Sequence, residues 1–132
     1  MGKVKPREVW DEAVDWPLGD IEAAEKIRNI CRSAADSADF VGGSAKRTDG
    51  RKRSVQKKLE TEAGRYQRAA KAAMEIAMKV GDALMRDAAV KEIVDLCLRA
   101  NDLRTAKILF RAIQANAIRE IVLSDHPALQ AP

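Results

Sequence analysis

The sequence predicts an all-α protein, built as a four-helix bundle or as stacked helical hairpins. Along four segments, apolar residues recur at alternating spacings of three and four, which places them on one face of a helix. Hydrophobic residues make up 46% of the 132 residues and aromatic residues only 4%, so alanine and aliphatic side chains must build the core. No stretch long enough to form a strand alternates β-branched with polar residues. This absence excludes an all-β fold.

Residues 1–19 are predicted to form a short N-terminal segment, which carries both tryptophans, Trp10 and Trp16. A short helix is expected over residues 7–15. Two interpretations of the tryptophans stay open. The favoured one is a clasp that packs on the bundle and closes its end. The other is an anchor for a partner, because exposed tryptophan often dominates binding energy at interfaces.

The first helix is predicted over residues 21–40, with Asp20 as its N-cap, because a carboxylate there can accept hydrogen bonds from free backbone N–H groups. Its apolar stripe consists of Ala24, Ile27, Cys31, Ala34, Ala38 and Val41. Residues 42–54 show no periodicity and almost no apolar content. We therefore expect a basic inter-helix loop there.

Three further helices are expected in the bundle, which spans residues 20–125. The second covers residues 55–80 after a Ser54 cap, with a stripe of Leu59, Ala63, Tyr66, Ala70, Ala73, Ala77 and Val80. The third covers residues 83–100 behind Asp82. The fourth begins after Asp102 and either continues to Leu123 or breaks near Asn116. Residues 126–132 are expected to be a frayed, flexible tail.

Bulky side chains of the C-terminal half are expected to fill the space over the alanine faces of the first two helices. They are Leu84, Val90, Ile93, Leu96, Leu109, Phe110, Ile113 and Ile121. Other apolar residues lie off the main stripes, at Leu96, Leu98, Ile108, Ile118 and Val122. These are too many apolar faces for a monomeric bundle of this size. The pattern predicts self-association or a groove for a partner.

A shift of the sequence by 33 residues produces partial self-similarity. It aligns Ala73 with Ala106, Ile76 with Leu109, Val80 with Ile113, Arg86 with Arg119, Asp87 with Glu120 and Val90 with Leu123. This spacing is similar to that of tetratricopeptide-like helical hairpins, which would imply stacked hairpin packing. Two unrelated amphipathic helices can produce the same register, so both interpretations stay open.

Catalysis, cofactors and metals are not expected. The single histidine, His126, falls in the predicted tail, and no Glu-x-x-His pair is present for a carboxylate-bridged metal site. The two cysteines, Cys31 and Cys97, are predicted to be buried free thiols in a reducing cytoplasm. No uncharged run exceeds about seven residues, far below the ~20 that span a membrane, and residues 1–12 contain no hydrophobic signal core.

Charge is distributed very unevenly along the chain. Between positions 46 and 71 the sequence contains ten basic residues and only three acidic ones, whereas the whole chain has a net charge of only +4. The ten are Lys46, Arg47, Arg51, Lys52, Arg53, Lys57, Lys58, Arg65, Arg68 and Lys71. On the second helix, one arc of about 140° opposite the apolar stripe contains Lys57, Lys58, Arg65, Arg68, Lys71 and Lys79, and Glu75 interrupts it.

This pattern predicts a small, non-enzymatic cytoplasmic protein that self-associates and contacts an anionic partner. A nucleic-acid backbone is the first choice, because clustered Lys and Arg bind phosphates by neutralisation and counterion release. One alternative is a helical protein–protein adaptor that uses apolar surface of the C-terminal helices. Another is that the cations only keep a helix face and a loop solvated.

Overall fold

The computed structural model describes residues 8–44 and 53–130, and these residues confirm the all-α prediction. A 3₁₀ turn, Val9–Asp11, precedes five helices, and a second 3₁₀ turn, Pro127–Gln130, follows them. The helices are α1 (Asp20–Gly42), α2 (Arg53–Ala77), α3 (Ala83–Arg99), α4 (Leu103–Ala112) and α5 (Asn116–Asp125). The predicted Ser54 cap is wrong, since Ser54 lies within α2. Most of the predicted 42–54 loop lies outside the described residues.

Helix α1 is the centre of the packing, because it contacts both α2 and α3. Helix α4 packs mainly on α3, and α5 contacts α3 and the C-terminal 3₁₀ turn. The predicted alanine faces are confirmed in part: Ala34 and Ala38 of α1 and Ala73 and Ala77 of α2 have no exposed surface. The predicted Ala24, Ala63 and Ala70 are only half-buried, and Ala69, which was not predicted, is fully buried. Small side chains allow neighbouring helix backbones to approach closely, while isoleucines and valines of α1 and α3 fill the remaining space.

The closest backbone approach lies at the end of α1. A Cβ atom placed on Gly42 would lie 2.0 Å from the carbonyl oxygen of Arg99 and 3.0 Å from its carbonyl carbon. Gly42 therefore allows the last turn of α1 to pack against the backbone of the α3–α4 turn. The Arg99 guanidinium adds an exposed ion pair to Asp39, with Nη2 and Oδ2 2.7 Å apart.

The Asp20 N-cap prediction is wrong, because Asp20 is the first residue of α1 and Gly19 precedes it as the cap residue. The Asp20 carboxylate instead accepts hydrogen bonds from the backbone N–H groups of Gly81 and Asp82, at 2.9 and 2.8 Å. It thereby ties the start of α1 to the turn between α2 and α3. Hydrogen bonds from these two N–H groups lower the pKa of Asp20.

The Asp82 and Asp102 caps are confirmed. The Asp82 side chain accepts a hydrogen bond from the N–H of Met85, and that of Asp102 accepts one from the N–H of Thr105. Each satisfies a donor that the first turn of a helix leaves without an intrahelical partner.

The predicted fourth helix was expected either to continue to Leu123 or to break near Asn116. In the structure it breaks, since α4 ends at Ala112 and α5 begins at Asn116. The carboxylate of Asp87 accepts hydrogen bonds from the N–H groups of Gln114 and Ala115, at 3.1 and 2.8 Å. Asp87 is only 3% exposed, so these N–H groups supply the partners that a buried carboxylate requires. This α3 side chain fixes the turn between α4 and α5.

The predicted tail, residues 126–132, is described as far as Gln130, and it contains the 3₁₀ turn Pro127–Gln130. Leu129 is buried in the 3₁₀ turn. His126 Nε2 lies 2.9 Å from Oδ1 of Asp95 on α3, so a side chain does position the histidine. Leu129 and the contact between His126 and Asp95 hold this segment. A single apolar residue and a single polar contact produce no helical periodicity, so the sequence of these seven residues could not reveal them.

The predicted excess of apolar surface is largely covered within the chain. Leu96, Ile118 and Val122 are buried, whereas Ile108 is 56% exposed. Two expected core residues lie at the surface instead, since Leu84 is 61% and Ile121 49% exposed.

Cys31 and Cys97 are free thiols, the first half-buried and the second buried. Burial raises the pKa of Cys31 to about 12 and that of Cys97 to about 11. In the described part of the chain, no helix has the length and hydropathy to cross a membrane.

The 33-residue offset recurs in the helix starts but not in the packing. Helices α3 and α5 begin at Ala83 and Asn116, which are 33 residues apart. However, α2 has 25 residues and α4 has 10, and α5 packs on α3 rather than on α4. The chain therefore does not form a regular array of stacked hairpins.

Two glycine-to-alanine substitutions test the close approach at the end of α1. Gly42→Ala is expected to destabilise the fold by about 2 kcal/mol, because its methyl group would overlap the Arg99 carbonyl, which is backbone and cannot rotate away. Gly64→Ala is the control. Its methyl group would meet only the end of the Arg68 side chain at 3.4 Å, so helix propensity should stabilise the fold by about 0.5–1 kcal/mol. Urea unfolding measures both, and equal effects would contradict the packing.

Substitution of Asp87 tests its role at the α4–α5 turn. Asp87→Ala leaves two backbone N–H groups without their acceptor, so we expect a loss of about 2–4 kcal/mol. Asp87→Asn keeps one acceptor oxygen and should lose less. Asp82→Ala, which removes a single exposed cap bond, should cost about 1 kcal/mol. Urea unfolding followed by circular dichroism ranks the three, and a loss at Asp87 no larger than that at Asp82 would contradict the assignment.

Candidate nucleic-acid interface

Six of the ten predicted site residues lie among the described residues, all on α2. They are Arg53, Lys57, Lys58, Arg65, Arg68 and Lys71. The other four, Lys46, Arg47, Arg51 and Lys52, lie outside the described residues. Tyr66, Ala69, Ala73, Ile76 and Ala77 form the buried side of α2, so its solvent side is defined.

Four of the six cations share one exposed face of α2, here called the basic face: Arg53, Lys57, Arg68 and Lys71. At 100° per residue they fall within an arc of about 60°. None of these four forms an ion pair with a described residue. Their charges are therefore available to an external anion.

The basic face consists of two pairs of cations rather than a continuous ridge. Lys57 and Arg68 are eleven residues apart, which is about 16 Å along the helix axis. Glu60 lies between them and Glu75 follows Lys71, both exposed and within the same sector of the helix. Each pair can contact a phosphate group separately, and the two carboxylates reduce the positive potential around them.

Arg65 does not join the basic face. Its Nε donates to Oε1 of Glu8 at 3.0 Å, and its Nη1 donates to Oε2 of Glu62 at 3.2 Å. The guanidinium also lies over the Trp10 ring, 5.6 Å from its centroid. Burial alone would lower the pKa of Arg65, but the two carboxylates outweigh it and raise that pKa. Arg65 thus holds the buried Trp10 and the N-terminal segment against α2.

Lys58 and Lys79 also lie over aromatic rings. The Lys58 ammonium is 4.6 Å from the centroid of Phe40, and the Lys79 ammonium is 4.5 Å from the centroid of Trp16. Both lysines are exposed, so the contact orients the side chain and leaves the charge in place. Trp16 itself is partly exposed, unlike Trp10.

The second surface feature is an apolar groove between α2 and α4, with a volume of about 530 Å³. Ala70, Met74 and Met78 line one wall, and Thr105 and Leu109 line the other. Helices α2 and α4 make little backbone contact, because α2 packs mainly on α1 and α4 mainly on α3. Helical periodicity could not reveal this groove, and Ile108 of α4, which was part of the predicted apolar excess, lies outside its lining.

A hydrogen bond closes the groove at one end. The Tyr66 hydroxyl donates to Oδ2 of Asp102 at 2.7 Å, and Oδ1 of Asp102 accepts from the N–H of Thr105 at 3.2 Å. Burial raises the pKa of Tyr66, and contacts with Cys97 and Asp102 raise it further. For Asp102, burial acts to raise the pKa, but the hydrogen bonds from Tyr66 and Thr105 outweigh it and lower the pKa.

No group of three His, Cys, Asp or Glu side chains in the described ranges is arranged to hold a metal ion. Comparisons with protein-family models, with curated proteins and with solved structures found no match to this chain. The proposals below therefore depend on the geometry and charge of its own residues.

Asp102→Asn tests the hydrogen bonds at the end of the groove. Because folding lowers the pKa of Asp102, its ionisation stabilises the fold above the ordinary Asp pKa, and this contribution disappears as pH falls through the folded value. Asparagine can still cap α4 and accept from Tyr66. We expect the wild-type advantage in urea stability to be present at neutral pH and to shrink below about pH 4. A difference that stays constant from neutral to acidic pH would contradict this role.

Proposed function

We propose that this protein binds a polyanion, with a nucleic-acid backbone as first choice, through the basic face of α2 and the cations of residues 46–52. One observation carries the proposal: Arg53, Lys57, Arg68 and Lys71 share an exposed helix face and form no ion pair with a described residue. Carboxylates elsewhere in the chain do pair with cations, as at Arg65 and Arg99.

The proposed mechanism is charge neutralisation with release of condensed counterions, without reading of bases. Lysine and arginine on a rigid helix can contact phosphates in any sequence. Stacking on bases has little support, because Tyr66, the aromatic residue of α2, is buried. A duplex backbone therefore suits the basic face better than a single strand. The proposal contains no catalytic step, and self-association and a cytoplasmic location stay predictions.

A second candidate function is that of a helical protein–protein adaptor, and the apolar groove between α2 and α4 favours it. In that case the apolar walls would carry the binding energy. The two functions differ in what removal of an apolar side chain does: loss of the exposed Met78 should weaken a complex in the groove strongly and a polyanion complex little.

Titration of a random-sequence DNA duplex, followed by fluorescence anisotropy at several salt concentrations, tests polyanion binding. Each neutralised phosphate contributes about −0.9 to the slope of log K against log salt, so four contacts predict about −3.6, and residues 46–52 would steepen it. Arg68→Gln/Lys71→Gln should weaken binding and make the slope less negative by about 1.8.

The matched control is Arg28→Gln/Arg32→Gln, which removes two exposed cations from α1 and changes the net charge equally. It should leave both affinity and slope close to wild type. Binding that ignores salt, or equal losses in the two double variants, would overturn the proposed polyanion function.

A further inference from the structure

We propose that the groove between α2 and α4 binds an amphipathic helix with an apolar face and acidic flanks. This inference names the partner class for the adaptor function, and it does not depend on polyanion binding. It is argued from the composition of the groove, its length and the charges along its edges.

The walls of the groove are suited to apolar side chains. Ala70, Met74 and Met78 face Thr105 and Leu109 across it. Met78, which lines the groove, is 66% exposed. Ile108 of α4 is also exposed but lies outside the lining, about 60° around the helix from Thr105. Methionine side chains adapt their shape to different apolar partners, and burial of these exposed groups would supply the driving force for binding.

The groove suits a helix better than an extended peptide. An extended backbone leaves N–H and C=O groups that need partners, whereas a helix satisfies its own. Asp102 is already engaged by Tyr66 and Thr105, which leaves few polar groups in the groove to pair with an extended chain. Tyr66 to Met78 spans about 18 Å along α2, the length of a partner helix of about three turns.

Around the groove, exposed cations outnumber exposed carboxylates, although the carboxylates of Glu75 and Asp102 belong to its lining. Arg68 and Lys71 lie along the outer edge of α2, with Glu75 as the opposing charge. On α4, Arg104 and Arg111 are exposed and lie about 100–120° around the helix from Thr105, beyond Ile108. Helix α4 contains no acidic residue. An amphipathic helix with glutamate or aspartate on both sides of its apolar face would complement this arrangement.

The test uses the full chain and three designed helical peptides of about twelve residues. One peptide has leucines on a single face and flanking glutamates. The second has lysines in place of the glutamates, and the third has the acidic composition with its leucines dispersed around the helix. Fluorescence anisotropy measures affinity. We expect the first peptide to bind more tightly than the other two.

Neutral substitutions locate the binding surface without a change in charge. Met78→Gln should weaken binding of the acidic peptide by about tenfold, because Met78 lines the groove and its exposed apolar contact is lost. Leu84→Gln is the matched control, since Leu84 is similarly exposed and lies outside the groove lining. It should bind like wild type. Neither variant should alter duplex binding, so failure of the groove and failure of the basic face are distinguishable.

Three results would overturn the proposal. The first is that no peptide binds, and the second is that the basic or dispersed peptide binds as tightly as the acidic one. The third is a wild-type dimer in sedimentation analysis that Met78→Gln dissociates, which would assign the groove to a second copy of this chain.

Discussion

The close packing of α1 against α2 and α3 is the constraint on which the rest of the structure depends. Alanines without exposed surface, such as Ala38 and Ala73, let the helices approach, and Gly42 lets the end of α1 meet the Arg99 carbonyl. Because α3 is held by α1, its remaining surface receives α4 and α5. Helix α4 therefore lies away from α2, and the apolar groove is the space that this arrangement leaves open.

The parts of this fold that were predictable from the sequence depend on local chemistry. Three- and four-residue spacing placed Ala34 and Ala73 in the core, and Asp82 and Asp102 were recognised as caps because a cap lies within three residues of its donor. Asp20 has the same local signature, yet its partners are 61 and 62 residues away. Asp87 similarly fixes a turn 27 residues later. Such distant hydrogen bonds leave no periodic trace.

In the candidate site, too, the local spacing of residues was predictable from the sequence and the distant contacts were not. Arg65 and Arg68 both belong to the predicted basic arc of α2, and their spacing alone does not separate them. The difference arises from the N-terminal segment, which brings Glu8 and Trp10 to Arg65 and leaves Arg68 exposed. Tertiary contacts thus make Arg65 part of the packing of the N-terminal segment and leave Arg68 available to a ligand. The groove could not be predicted from the sequence either, because it depends on the relative position of two helices.

The basic face and the groove are neighbours rather than independent surfaces. Lys71 belongs to the basic face and also lines the groove, and Arg68 lies one turn earlier along α2. Charges within about 10 Å interact appreciably at moderate ionic strength. An acidic helix in the groove would therefore neutralise the same cations that a phosphate backbone requires. If both proposals hold, the two ligands compete for α2, and a partner helix would act as an inhibitor of polyanion binding.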